Sequence, residues 1–100
     1  SEVKTFADFA NKRSIQRTNR FGRDIRRLPQ NIQAEAFQIS LQLAEDIFDK
    51  TLNIKQMTGF RGIWRVVVVR DYRMIFSFDD ENIYLLRIAH RREIYRRFEI

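Results

Sequence analysis

One hundred residues with 44% hydrophobic side chains and thirteen aromatic rings supply one modest core and are too few for two domains. The lack of cysteine excludes disulfide stapling and a thiolate zinc site, and a single His excludes a multi-histidine metal centre. The formal charge is +6, and fifteen of the nineteen basic residues are Arg, the side chain suited to planar, bidentate contact with phosphate or carboxylate, so nucleic acid or an acidic protein is the expected partner.

No apolar run approaches the roughly 18–20 residues needed to span a bilayer. The longest, residues 63–69, is interrupted by Arg65. No signal-peptide pattern opens the chain, and a small soluble cytoplasmic protein with no membrane partner is expected.

Residues 1–12 place Val3, Phe6, Phe9 and Ala10 on one helical face. Residues 1–13 therefore read as an N-terminal extension with helical character, ahead of a single domain over 14–100. Residues 14–18 read as a short strand anchored by Ile15. Asn19 is the expected N-cap of a helix that ends before Pro29, with Phe21, Ile25 and Leu28 as its buried stripe. Residues 30–49 form the strongest helical pattern. Ile32, Ala36, Ile39, Leu43 and Ile47 make one stripe, and Phe37, Leu41, Ala44 and Phe48 make its neighbour. Together they predict a face wide enough to cover a sheet. The Leu28-Pro29 junction stops the first helix and starts the second, giving an αα-hairpin.

After Gly59 the pattern becomes β-branched and aromatic. Strands are predicted over 63–69, 72–78 and 83–89, joined by short connections into an antiparallel meander. Residues 91–98 fit a short helix or a fourth extended piece. The fold class is α+β, an antiparallel meander with the αα-hairpin packed on one face.

The register of the first hairpin follows from charge. A two-residue turn would pair position 65 with 76 and set Arg65 and Arg73 on opposite faces. A three-residue loop at 69–71 pairs 67 with 73 and 65 with 75, so the two Arg share one face while Val66, Val68, Met74 and Phe76 share the other. Burying either Arg beneath the helices would cost on the order of several kcal/mol. The three-residue loop, or an equivalent bulge, is therefore expected.

The charge is also blocked along the chain. Residues 11–28 carry seven bases and one acid, and the tail from Arg87 carries five Arg against Glu93 and Glu99. The first block reads as a solvated or docking helix face.

Several segments resemble one family. They are Met57-Thr58-Gly59-Phe60, Ile63-Trp64-Arg65-Val66, Asp71-Tyr72-Arg73-Met74-Ile75-Phe76, and the closing Leu85-Leu86-Arg87-Ile88-Ala89-His90-Arg91-Arg92-Glu93-Ile94-Tyr95. With Arg20-Phe21-Gly22-Arg23-Asp24-Ile25-Arg26-Arg27-Leu28-Pro29 before them, they resemble the RelE/ParE superfamily of toxins over about residues 14–98. The resemblance implies the toxin of a type II toxin–antitoxin pair, needing no cofactor or metal. Its partners would be a cognate antitoxin, messenger RNA and the ribosome, and operator DNA reached through the antitoxin. The Arg-Arg-Glu-Ile-Tyr ending looks more like the branch that cleaves messenger RNA on the ribosome than the ParE-like branch that poisons DNA gyrase. Two departures stand out. Val67 occupies a position that is often basic in RelE-like members, and Arg70 replaces the usual Gly before Asp-Tyr-Arg.

RNA cleavage requires a 2′-hydroxyl aligned on the adjacent phosphate, a proton acceptor, charge stabilisation and a donor to the leaving oxygen. The candidate catalytic set is Arg65 and Arg73 as a phosphate clamp, Arg91 reaching the same phosphate, Tyr95 on a base or the 2′-hydroxyl, and His90 for proton transfer. Lys55, Arg61, Arg87 and Arg92 are candidates for flanking RNA phosphates. Each has a plainer role to weigh against this. His90 would cap, Arg65 and Arg73 would pair across the sheet or hold an acidic antitoxin segment, and Tyr95 would pack. Two other functions remain open at this level: a gyrase inhibitor, and a degenerate toxin that only binds its antitoxin or operator DNA.

Overall fold

The computed structural model describes residues 12–96, so the amphipathic pattern over 1–12 falls almost entirely outside the described residues. In chain order the elements are β1 (Ser14–Arg17), α1 (Asn19–Arg26), α2 (Gln30–Glu45), β2 (Ile54–Gln56), β3 (Trp64–Val68), β4 (Tyr72–Phe78), β5 (Asn82–His90) and α3 (Arg91–Arg96). The three predicted strands form the meander β3–β4–β5. The sheet is wider than that meander, because β2 pairs antiparallel with β3 at one edge and β1 pairs parallel with β5 at the other.

The hairpin register is the one set by charge. Val67 faces Arg73, Arg65 faces Ile75, and the loop between is residues 69–71. Val69 and Arg70 both carry positive φ, 42° and 58°, and the Asp71 amide bonds back to the Val69 carbonyl. Arg70 thus adopts the left-handed backbone that Gly takes without cost. The register of β5, which its two apolar faces left open, contains a shift between Ile75 and Phe76 of β4. Leu86 is the inserted residue at this shift and falls on the face opposite Leu85 and Ile88, which is why both faces of β5 read as apolar.

One face of the sheet carries the main core. Val66, Val68, Met74, Phe76, Ile83, Leu85 and Ile88 meet Phe21 of α1 and Ile32, Ala36, Ile39 and Leu43 of α2. Burying each large side chain contributes about 1.5–3 kcal/mol, so this layer holds the hairpin to the sheet. The other face is covered in part by α3, whose Ile94 is buried against Ile75 and Leu86.

Three expectations are corrected. The cap of α1 is Thr18, not Asn19: Thr18 is extended, its Oγ1 accepts from the Phe21 amide at 3.1 Å, and its own amide is tied to the Leu85 carbonyl at 3.0 Å. Asn19 is already helical. Second, α2 ends at Glu45 rather than near 49. Asp46 turns extended and its carboxylate takes the Phe48 amide at 3.0 Å, while Asp49 takes the Thr51 amide at 2.9 Å, so two Asp-led turns replace the last helical turn. Third, only one of the two apolar stripes on α2 packs. Phe37 is 60% exposed and Leu41 39%, whereas Ala44 is buried. Phe48, beyond the helix, lies edge-on against Trp64 and Phe78 at centroid distances of 5.9 and 5.8 Å.

Candidate functional site

The face bearing α3 is where the basic strand residues emerge. Lys55 on β2 is the direct cross-strand partner of Arg65 on β3, and Arg65 in turn sits opposite Ile75. Arg73 stands opposite Val67, one step diagonal from Arg65. Cross-strand side chains lie about 4.5–5.5 Å apart at Cβ, and like charges placed there repel. Lys55, Arg65 and Arg73 therefore form a cationic corner that sheet stability alone does not favour. The Arg65 guanidinium donates to the Asn53 amide oxygen at 3.4 Å, and among the described residues no acid lines the depression beside it.

That depression, about 520 Å³, is bounded by Lys55, Gln56, Thr58, Phe60, Arg65 and Tyr95, with Met57 in its wall. Tyr95 reaches it because Ile94, the preceding residue, plugs the Ile75–Leu86 hollow and fixes the angle of α3. Arg61 lies just outside, on a shallower depression shared with Thr58 and Phe60. Sequence reasoning overlooked Phe60. Its signal was present, an aromatic ring set between Gly59 and Arg61 with a second glycine at 62.

Arg73 does not point into the depression. Its Nη1 donates to the Arg70 carbonyl at 2.8 Å and the Tyr72 carbonyl at 3.0 Å, wrapping the 69–71 loop. Its Nε is buried with no hydrogen-bond partner, the one such side-chain nitrogen or oxygen among the described residues. Arg91 belongs to the same loop end. Its amide donates to the Asp71 carbonyl at 2.7 Å, and its Nε lies 3.8 Å from the Asp71 carboxylate in a half-exposed pair. Arg92 is exposed on α3.

His90 and Arg87 are placed elsewhere. Both line a separate cavity of about 650 Å³ between the end of α1, β5 and α3, together with Asp24, Arg27, Tyr72 and Glu93. There Arg87 Nε donates to Asp24 at 2.7 Å, and the same carboxylate accepts the Ile88 amide at 3.1 Å. The His90 Nδ1 accepts the Arg92 amide at 3.2 Å, which makes it the cap of α3, and its ring meets Tyr72 edge-on at 5.5 Å. Of the nine predicted residues, the structure brings Lys55, Arg65 and Tyr95 to one depression, with Arg61 and Arg73 beside it. It sets Arg91 at the loop end, and His90 and Arg87 in the other cavity.

Comparison with solved structures finds the same fold at low identity. The chain superposes with a TM-score of 0.70 and 22% identity on a chain of the RelB–RelE antitoxin–toxin complex of Methanococcus jannaschii, covering 84% of this chain and 99% of that one. A RelBE toxin–antitoxin complex of Mycobacterium tuberculosis gives 0.68 and 23%, over 80% and 92% of the two chains. The DinJ–YafQ toxin–antitoxin complex of E. coli gives 0.60 and 14%, over 84% and 98%. No curated protein sequence matches. A family model, described as the ParE toxin of the type II toxin–antitoxin system parDE, matches residues 15–95. That span runs from the strand that closes the sheet edge to the tyrosine at the depression, and the chain belongs to the ParE toxin family of type II toxin–antitoxin systems, within the RelE/ParE superfamily.

Proposed function

We propose that this toxin is a ribosome-dependent mRNA endonuclease, inhibited by a cognate antitoxin. The observation that carries the reading is the direct pairing of Lys55 with Arg65 across β2 and β3, beside Tyr95 and with no acid among the described residues that line the depression. Two adjacent cations raise the energy of the folded sheet unless an anion comes to meet them, and a phosphodiester is such an anion.

On this face the reaction is transesterification within the strand. The 2′-oxygen bonds to phosphorus, the bond from phosphorus to the 5′-oxygen breaks, and a 2′,3′-cyclic phosphate and a 5′-hydroxyl remain. Arg65 and Lys55 hold the phosphate oxygens as negative charge builds. Arg73 swings from the 69–71 loop to join them, which would give its orphaned Nε an acceptor. Arg91 approaches the same phosphate from the loop end, and Tyr95 orients the 2′-hydroxyl. The proton of that hydroxyl passes to solvent, and the Lys55 ammonium protonates the departing 5′-oxygen before solvent reprotonates it. His90 acts indirectly in this scheme, by capping the helix that carries Tyr95. Charge stabilisation without a dedicated base places the remaining demand on strand alignment, the contribution expected of the ribosome.

Induction in cells should stop protein synthesis first, with cleaved transcripts mapped by primer extension, and co-expression of the antitoxin should prevent both. The ParE family match favours a second reading, inhibition of DNA gyrase. Under that reading supercoiling fails and DNA-damage signalling rises while translation initially continues.

A further inference from the structure

We propose that residues 1–11 dock as a short amphipathic helix along the outer face of α2 and cover its exposed apolar stripe. The inference does not depend on the RNA-cleaving reading. The segment precedes the span of the family match, which begins at residue 15.

The stripe is Ala34, Phe37 and Leu41, spaced i, i+3 and i+7 and all exposed, with Phe37 60% open to solvent. Ala36, Ile39 and Leu43 already bury the inner face of α2 against the sheet. The helix therefore carries a second apolar face that the sheet does not use. A run of exposed apolar side chains of this kind marks a surface that something covers.

Arg13 fixes where the segment leaves the described structure. Its amide donates to the Ala44 carbonyl at 2.8 Å and its Nε to the Asp79 carbonyl at 2.7 Å, while its guanidinium lies over the Phe78 ring at 5.3 Å. The chain thus enters β1 beside the last turn of α2. Arg13 and Ala44 are 31 positions apart. The same offset sets Ala10 level with Leu41, Phe6 with Phe37 and Val3 with Ala34, for a helix running in the direction of α2. Val3, Phe6 and Ala10 repeat the i, i+3, i+7 spacing of the stripe. Eleven helical residues rise about 16 Å, and the path from Ala34 to Ala44 is about 15 Å. Asn11, a residue type that ends helices in the left-handed conformation, stands where the segment turns toward β1.

The two faces need each other. A helix this short is marginal in water by itself, and its own apolar side chains require a surface. Lys4 and Asp8 fall on the opposite side and stay solvated. A tethered segment also meets the stripe at an effective concentration on the order of millimolar, an advantage that a separate partner lacks.

The test uses the full chain. It contains no cysteine, so Asp8→Cys accepts a single nitroxide on the solvated side of the segment. In isotope-enriched protein the amide resonances of residues 34–41 should broaden and recover when the nitroxide is reduced. Mixing spin-labelled, unenriched chains with enriched, unlabelled ones should broaden nothing. Phe6→Ala and Phe37→Ala should each lower the melting midpoint by about 4–8 °C, and the double variant no further than the larger single change. Phe37→Asp should keep the fold, because Phe37 lies outside the main core, and lose the broadening. Unchanged α2 resonances, or midpoints that neither Phe→Ala change moves, would overturn the docking. Broadening in the mixed sample would overturn it in favour of a second copy of the chain. Unchanged α2 resonances together with loss of antitoxin binding in Phe37→Ala would overturn it in favour of the antitoxin.

Discussion

Two arginines that flank β4 in the same sheet are treated in opposite ways. Arg87 on β5 is neutralised: Asp24 from α1 takes its Nε at 2.7 Å and also accepts the Ile88 amide, and both side chains are largely buried. Arg65 on β3 is set beside another cation, and its one hydrogen-bond partner among the described residues is an amide oxygen at 3.4 Å. The first arrangement docks a helix onto a sheet. The second lowers the stability of its own strand pair unless something anionic is bound. Both residues are Arg and both pair with Ile75 of β4, so an Arg-rich chain cannot be read as one uniform basic surface. The partner each guanidinium is given decides its role.

This contrast can be broken from either side. The largest effect is expected at the unneutralised end. Arg65→Ala should reduce RNA cleavage on ribosomes by about 100-fold or more, the scale of losing one charge-stabilising donor, while stability changes by no more than about 0.5 kcal/mol. A rise in stability would fit best, since the repulsion with Lys55 goes. At the neutralised end, Asp24→Ala should cost about 2–3 kcal/mol in chemical denaturation by leaving Arg87 and the Ile88 amide without their acceptor. Equal losses of stability at both positions would remove the distinction.

Smaller changes sharpen it by leaving both arginines in place. Val69→Gly should stabilise by about 0.5–1 kcal/mol, because a β-branched residue at φ 42° is strained in a loop that Gly would fit. The smallest effect concerns the exposed 79–82 turn. The amides of Glu81 and Asn82 and the Tyr84 hydroxyl hold the Asp79 carboxyl below its ordinary 3.8, and the bond to Asp79 pushes the Tyr84 phenol above 10.0. A depressed carboxyl stabilises above its unfolded value and loses that as pH falls through its folded one. A raised phenol stabilises below its unfolded value and loses that as pH rises through its folded one. The melting-temperature advantage of wild type over Asp79→Asn should therefore be present between about pH 4 and pH 10 and shrink beyond either side.

The sequence was most readable where charge and periodicity agreed. The pairing of Val67 with Arg73 was legible because the alternative would have driven an Arg beneath the helices. The stripe from Ile32 to Ile47 was legible because five positions repeat the helical period and all are buried. β2 was missed because Ile54, Lys55 and Gln56 are too few to show a period, and its existence depends on β3 lying alongside. The parallel match of β1 with β5 is a contact between distant segments, and nothing in residues 14–17 announces its partner. Phe37 and Leu41 follow the helical period as faithfully as the buried stripe, and periodicity does not state how much sheet there is to cover. At the site, residue types identified Lys55, Arg65 and Tyr95, but the turning of Arg87 and His90 into another cavity is set by Asp24 and the start of α3, which only the folded chain brings near.

The position of β5 has a consequence for the order of events during synthesis. It lies between β1 and β4, receives the cap of α1 through the Leu86 carbonyl, and supplies Arg87 to Asp24. The residues of β1 and α1 emerge from the ribosome well before β5, and the strand they pair and pack with is made more than sixty residues later. The β3–β4–β5 meander closes through short local loops and can form quickly, whereas the parallel edge must wait and then pay a long loop closure. The parallel edge between β1 and β5 is thus expected to settle after the meander, although β1 is made long before its partner. Until residue 90 is free of the exit tunnel, the growing chain has no completed sheet on which a toxin's working face could be displayed.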